Sequence, residues 1–506
     1  MAPLQRHGES QPGPSPLDPP VGPSVGPSVA PCSDASLGAT PGLLSSLMGP
    51  AERGLLPLHL PAHGRGRGLA PGLRRLLRQR PGRWDLPELP QIGGPLESEG
   101  AVAAAQATSA ALLGAQRCWF GVNGASGLLQ AALLALANPG DRVLLPRNLH
   151  RSLLHGCLLG QLRPVLFDLP FDAATGLWLP PTPALLAAAL DQALAEGPLA
   201  AVVLVSPSYQ GLAGDLQALI HTAHRRGLPV LVDEAHGAHF GLDPRLPPAA
   251  LACGADLVVQ SLQKAAGGLA QSAVLLQGLG GRTEAGRIER ALLWLQTSSP
   301  SALLLASCEA ALADLHGAAG RRRLGRALDR ALALRRRLQA QGLPLLAGAD
   351  PLRLVLGTAA LGINGLEADA WLMARGVIAE LPEPGALTFC PGLRPPRLLG
   401  RRLPPLLRQL REALGGAPLP PFSPPPLPAV AEPELPLGQA WRAPALAVPL
   451  AAALGRIAAE PLCPYPPGIP LLIPGERINA ERLAWLQEQR RLWPGQIADT
   501  VSVVAG

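Results

Sequence analysis

From about Ala101 the chain sorts into short, wholly apolar runs separated by longer stretches with helical spacing of apolar positions. Val102–Gln116 reads as a helix and Cys118–Val122 as a strand. Asn123-Gly-Ala-Ser-Gly127 then leads into a helical Leu128–Ala137. Past the turn at Asn138-Pro-Gly-Asp141, Arg142–Leu145 predicts a strand and His150–Leu159 a helix. Pro164–Asp168, Ala201–Val205, Val230–Asp233 and Asp256–Gln260 predict further strands, and Asp215–Arg226 a helix. Strands without polar alternation are buried on both faces, so the pattern predicts an α/β fold with a mostly parallel central sheet. From about Arg287 to Gln341 the chain is mostly helical, and a smaller α/β region follows.

This divides the chain into a Pro-, Gly- and Ser-rich extension over 1–50, expected to be disordered, an N-terminal segment over 51–100, a large domain over 101–345 and a small α/β region over 346–415. A Pro-rich linker over 416–437 and a C-terminal domain over 438–506 complete it. Gly22-Pro-Ser-Val-Gly26 matches the GxSxG of serine hydrolases, but it lacks the strand and helix that motif needs.

Composition changes the picture at a few points. The net charge of +7 and the clusters Arg321–Arg323, Arg335–Arg337 and Arg490–Arg491 suggest a nucleic-acid surface at first sight. Leu324, Leu328, Ala331 and Leu334, however, place an apolar stripe opposite the arginines, so a solvated helix face is expected and no nucleic-acid partner. The seven cysteines are scattered without a CxxC pair, which favours a reducing compartment. No apolar run is long enough to span a bilayer and no apolar leader precedes a cleavage site, so a cytoplasmic protein without a membrane partner is expected.

Of the 43 basic residues, one is lysine, Lys264. Arginine cannot replace lysine where the nitrogen must lose its proton and attack a carbonyl. Four polar clusters fall at predicted strand ends, where open α/β sheets bind ligands. Asn123–Gly127 suits a phosphate at a helix start, though alone it is a tight turn. Asp233-Glu-Ala-His236 places a carboxylate at the end of a buried strand, where a protonated pyridine nitrogen or a structural ion pair would satisfy it. A helicase box would need a lysine-bearing P-loop, which is absent, and a metal site from His236 and His239 lacks a third ligand. Ser261-Leu-Gln-Lys264 follows one strand later, with two groups, Ser261 and Gln263, able to donate to a phosphate. Arg147-Asn-Leu-His150 offers an imidazole that can stack on a ring or simply start a helix. Together these are the parts a pyridoxal 5′-phosphate site requires.

The chain resembles the Orn/Lys/Arg decarboxylases, a branch of the aspartate-aminotransferase-like (fold type I) enzymes, from about Pro57 to the C-terminus. Ser261-Leu-Gln-Lys-Ala-Ala-Gly-Gly-Leu-Ala-Gln-Ser-Ala273 fits that family's lysine signature except at Gln263, where the family has His. Asp85–Pro90, Trp119–Gly124, Arg147–Ser152, Pro207-Ser-Tyr209, Asp233–Phe240, Thr297–Ser301, Tyr465–Pro470 and Pro474-Gly-Glu476 also match. The resemblance implies that Lys264 attaches the cofactor, Asp233 pairs with its ring nitrogen and His150 stacks on it. It further implies that Gly124, Ala125, Ser126, Ser261 and Gln263 surround the phosphate, that His236 belongs to the same cofactor set, and that Thr297 and Ser298 reach a neighbouring subunit's site in a homodimer. Ala125 stands where a hydroxyl residue is usual, and Leu60-Pro-Ala-His-Gly64 replaces a threonine- and lysine-containing motif. The expected reaction is decarboxylation of arginine or lysine, less so ornithine, in polyamine biosynthesis. Transamination, another lyase step and a non-catalytic relative are the alternatives.

Overall fold

The computed structural model describes Leu43, Leu47 and residues 55–464 and 468–505. The readings of 1–50, including the Gly22–Gly26 motif, and of Tyr465 therefore fall almost wholly outside the described residues.

The six predicted strands form one sheet, which an unpredicted seventh, Ala273–Gln277, joins. In chain order its strands are β1 (Arg117–Gly121), β2 (Arg142–Pro146), β3 (Arg163–Phe167), β4 (Ala201–Val205), β5 (Val230–Asp233), β6 (Leu257–Ser261) and β7 (Ala273–Gln277). β3, β2, β4, β5 and β6 lie side by side and parallel, and β7 and then β1 extend the sheet beyond β6, each pairing antiparallel with its neighbour. Nearly every residue of these strands is buried, because helices cover both faces with two separate apolar cores. Helix α1 (Gly124–Leu136) follows β1, and α2 (Arg151–Leu159) follows β2. Helix α3 (Ala285–Leu295), α4 (Ala302–His316) and the long α5 (Ala318–Ala340) then lead away from the sheet. The expected apolar stripe of α5 is buried at Leu324, Leu328 and Leu334, while most of its arginines face solvent.

The smaller region holds a three-stranded antiparallel sheet of β8 (Leu354–Leu356), β9 (Leu381–Glu383) and β10 (Ala386–Phe389), ordered β8-β10-β9. It packs with Leu334 and Leu338 of α5 around a third core. The Pro-rich segment over 416–437 does more than space two domains. Its Val430–Ala431 adds an antiparallel strand, β11, to the free edge of β3, which a run of prolines does not advertise. The C-terminal region has its own core, built on Leu450, Leu472, Ile478, Leu486 and Val503.

Candidate active site

Asp233 is the last residue of β5, and Lys264 lies three residues past the end of the neighbouring β6. Strand register places Asp233 opposite Val259, so the two groups emerge at the same, carboxyl-terminal edge of the sheet. Asp233 is buried. Its Oδ1 accepts from Ala235 N–H at 3.1 Å, and Oδ2 has no hydrogen-bond partner among the described residues. Burial raises its pKa, and the nearby charge of Lys264 opposes that rise. Burial lowers the pKa of Lys264 in turn, against the pull of Asp233.

Lys264 Nζ lies 3.0 Å from His236 Nε2. The ring of Tyr209 packs on His236 with centroids 4.5 Å apart, and its hydroxyl donates to Glu380. Behind His236, Arg353 Nη2 donates to Nδ1 at 3.2 Å. Arg353 and Asp350 are both buried, and His239 Nε2 sits 3.1 Å from Asp350 Oδ1. The two histidines weighed as metal ligands thus face different partners. Residues 60–68 close one side: Ala62 N–H donates to the carbonyl of Gln263, and Ala62, Gly68, Gly267 and Gly392 line a small pocket beside Lys264. Gly267 and Gly392 have φ of +73° and +68°, and added Cβ atoms would lie 2.4 Å from Gly68 O and 2.1 Å from Ala62 O. Only glycine permits that approach.

His150 caps α2, its Nδ1 accepting from Ser152 N–H at 3.3 Å and lying 2.8 Å from Ser152 Oγ. Its ring is exposed to solvent, yet desolvation by the surrounding protein, followed by the charge of Lys264, pushes its imidazole down to about 4. Asn123 is the N-cap of α1, with Gly124 at φ +67° and its N–H committed to Gln271 O. The first-turn N–H groups of Ala125 and Ser126 have no intrahelical acceptor. Ser261 is buried, and Gln263 is half-buried on the short helix that carries Lys264. Thr297 and Ser298 are the outliers. They lie on an exposed loop after α3, next to Leu293 and Trp294, which are 67% and 84% exposed.

Sequence reasoning gave three contributors no role. Arg353 interrupts the apolar run Leu352–Leu356, and a charge next to a buried strand was the available signal. Tyr209 was noted without a role. Arg147, two residues upstream of Leu149, is fully buried and makes a bidentate pair with Glu476 of the C-terminal region: Nη1 donates to Oε2 at 3.0 Å and Nη2 to Oε1 at 2.5 Å. Arg482 Nη2 adds a contact to Glu476 Oε1 at 3.3 Å.

Glu234, beside Asp233, is also buried. Desolvation pushes its carboxyl up to about 8, while Gln260 and Ala250 N–H donate to it. A carboxyl whose folded pKa exceeds its ordinary 4.5 contributes stability that is complete below that value and is lost as pH rises through the folded pKa. Glu234→Gln keeps the shape without the titration. The variant's thermal midpoint should therefore fall less than the wild type's between about pH 6 and about pH 9, as calorimetry over that range would show.

The Orn/Lys/Arg decarboxylase major-domain model matches residues 41–381, and the C-terminal-domain model of the same family matches 427–501. The chain belongs to the Orn/Lys/Arg decarboxylase family. The C-terminal match begins ahead of β11, which therefore falls within it. The family assignment makes the chain a pyridoxal-phosphate-dependent decarboxylase acting on a basic amino acid. A protein of Halalkalibacterium halodurans named arginine decarboxylase is 30% identical over 89% of this chain and 93% of its own length. A Bacillus subtilis protein of the same name is 30% identical over 88% and 92%. Among solved structures, the constitutive lysine decarboxylase of E. coli superimposes with a TM-score of 0.71 at 18% identity, covering 91% of this chain and 81% of that one. Lysine decarboxylase A of Pseudomonas aeruginosa gives 0.70 at 20% identity, over 86% and 77%. Those likenesses place the fold in the aspartate-aminotransferase-like class expected from the sequence.

The residues present fit pyridoxal 5′-phosphate. A buried carboxylate with a free oxygen suits a ring N–H donor, a desolvated primary amine suits an aldehyde, and unpaired N–H groups at a helix start suit a phosphate. No single helix among the described residues is long and apolar enough to cross a membrane.

Proposed function

We propose that this chain decarboxylates arginine to the corresponding amine and CO2, as a cytoplasmic homodimer supplying polyamine synthesis, with Lys264 as the cofactor's attachment point. The observation that carries the assignment of Lys264 is its contact with His236, beside Asp233, at the carboxyl end of the sheet of a family member that has no other lysine. The choice of arginine rests on the names of relatives that match along nearly their whole length, the two above among them.

Bound pyridoxal 5′-phosphate supplies an aldehyde and a conjugated ring that takes up the electron pair left when CO2 departs. Lys264 Nζ would supply the primary amine that holds the aldehyde. Asp233 would hold a proton on the ring nitrogen through its free Oδ2. His150 would stack on the ring, and His236 lies beside the amine. The N–H groups of Ala125 and Ser126, with Gly124 giving close approach and Ser261 and Gln263 donating, would take the phosphate. The amide of Gln263 can serve here as a donor in place of the family's His. Thr297 and Ser298 would complete the site of a second copy, consistent with the exposed Leu293 and Trp294 beside them.

The test is a product assay on arginine, lysine and ornithine with the cofactor-loaded protein. Release of CO2 and the matching amine from arginine, at a kcat/KM at least about tenfold above that for lysine, is expected. A keto acid product would overturn decarboxylation, and a preference for lysine would overturn the substrate.

A further inference from the structure

Arg353 is buried behind His236, the imidazole that touches the Lys264 amine. Arginine has donors only. Its Nη2 lies 3.2 Å from His236 Nδ1, so Nδ1 must be the acceptor. A neutral imidazole whose Nδ1 accepts carries its proton on Nε2. Nε2–H lies 3.0 Å from Lys264 Nζ, and that contact is favourable only if Nζ presents a lone pair. An ammonium would set two donors against each other. A doubly protonated ring would do the same at both nitrogens.

We infer that Arg353 is a positioning residue that fixes the tautomer of His236 and thereby holds Lys264 as a free amine, ready to receive the cofactor. The inference rests on Lys264 being the attachment point. The surroundings agree with it: burial lowers the affinity of both His236 and Lys264 for protons, and each feels the charge of Arg353. Asp233, Glu380 and Cys390 act on Lys264 in the opposite sense, His150 is coupled to it by charge, and the Tyr209 ring lies 5.8 Å away. A net lowering against three opposing groups is what a directional hydrogen bond from His236 would reinforce.

The test uses the full chain freed of cofactor. Ring ¹⁵N resonances of His236, assigned by their loss in His236→Asn, report its tautomer. Acetylation of Lys264 by acetic anhydride reports its ionisation, and with one lysine in the chain the modified peptide is unambiguous. The wild type should show Nδ1 bare and Nε2 protonated. Arg353→Met should shift the ring toward the Nδ1–H tautomer and reduce labelling near pH 8 by about tenfold, the change that one pKa unit gives. A wild-type ring protonated on Nδ1 overturns the inference, even if the variant does not fold. So does a variant whose labelling falls while its tautomer stays unchanged, because that is the loss of a charge alone. Failure of Lys264 to bind the cofactor at all would show separately, in borohydride trapping, and would refute the attachment reading and not the tautomer.

Discussion

Lys264→Ala gives a folded protein whose decarboxylase activity falls by at least about four orders of magnitude. The size follows from chemistry that no neighbour can replace. His236 is an imidazole, whose ring nitrogens form no imine with an aldehyde, and Arg353 has no lone pair to offer. With Lys264 gone the chain has no side-chain primary amine. The fold should survive, because Lys264 sits on a four-residue helix lining a small pocket and the packed core of β5 and β6 does not depend on it. Steady-state CO2 release alongside a melting curve would check both halves. A variant retaining more than about a hundredth of wild-type kcat would show that attachment is dispensable.

The second large effect lies far from the amine. Glu476→Ala should destabilise the protein by about 3–5 kcal/mol, because it leaves the guanidinium of Arg147 buried without its carboxylate. Arg147 begins the turn that carries His150, so the C-terminal region steadies one wall of the site through this pair. Glu476→Gln, which keeps an acceptor for Arg147, should cost less. Burial alone would raise the Glu476 pKa, but the charge and hydrogen bonds of Arg147, with the charge of Arg482, bring it below the ordinary value of 4.5. A depressed acid contributes stability that is present above its unfolded pKa and is lost as pH falls through the folded one. The gap in denaturation midpoint between wild type and Glu476→Gln should therefore narrow as urea titrations move from neutral pH to below about pH 4. A constant gap would mean that the pair's charge is immaterial.

These two sites mark how far the sequence could be read. That Asp233 and Lys264 meet at one edge was legible because each stands at or just past the end of a short apolar strand, and parallel strands in succession deliver their ends to one edge. Six strands between Arg117 and Ser261 were legible for the same reason, with boundaries off by a residue or two, whereas the helix Pro183–Ala195 and the strand Ala273–Gln277 were not read. Arg147 and Glu476 could not be paired from sequence, since 329 residues separate them and either reads alone as a surface charge. β11 was hidden because proline is expected to space domains, and the two residues that pair lie after the proline run. His150 carried two readings in the sequence, a helix start and a stacking group. The structure shows it capping α2, and the stacking role awaits a bound ring. Thr297 and Ser298 were placed by resemblance alone, and in one chain they face solvent.

The most direct test of the central claim is peptide mapping after borohydride reduction of the protein incubated with pyridoxal 5′-phosphate. A reduced pyridoxyl adduct on the peptide carrying Lys264, absent from Lys264→Ala, is the expected result. No adduct on that peptide, or one of equal yield at the chain's amino terminus, would contradict it.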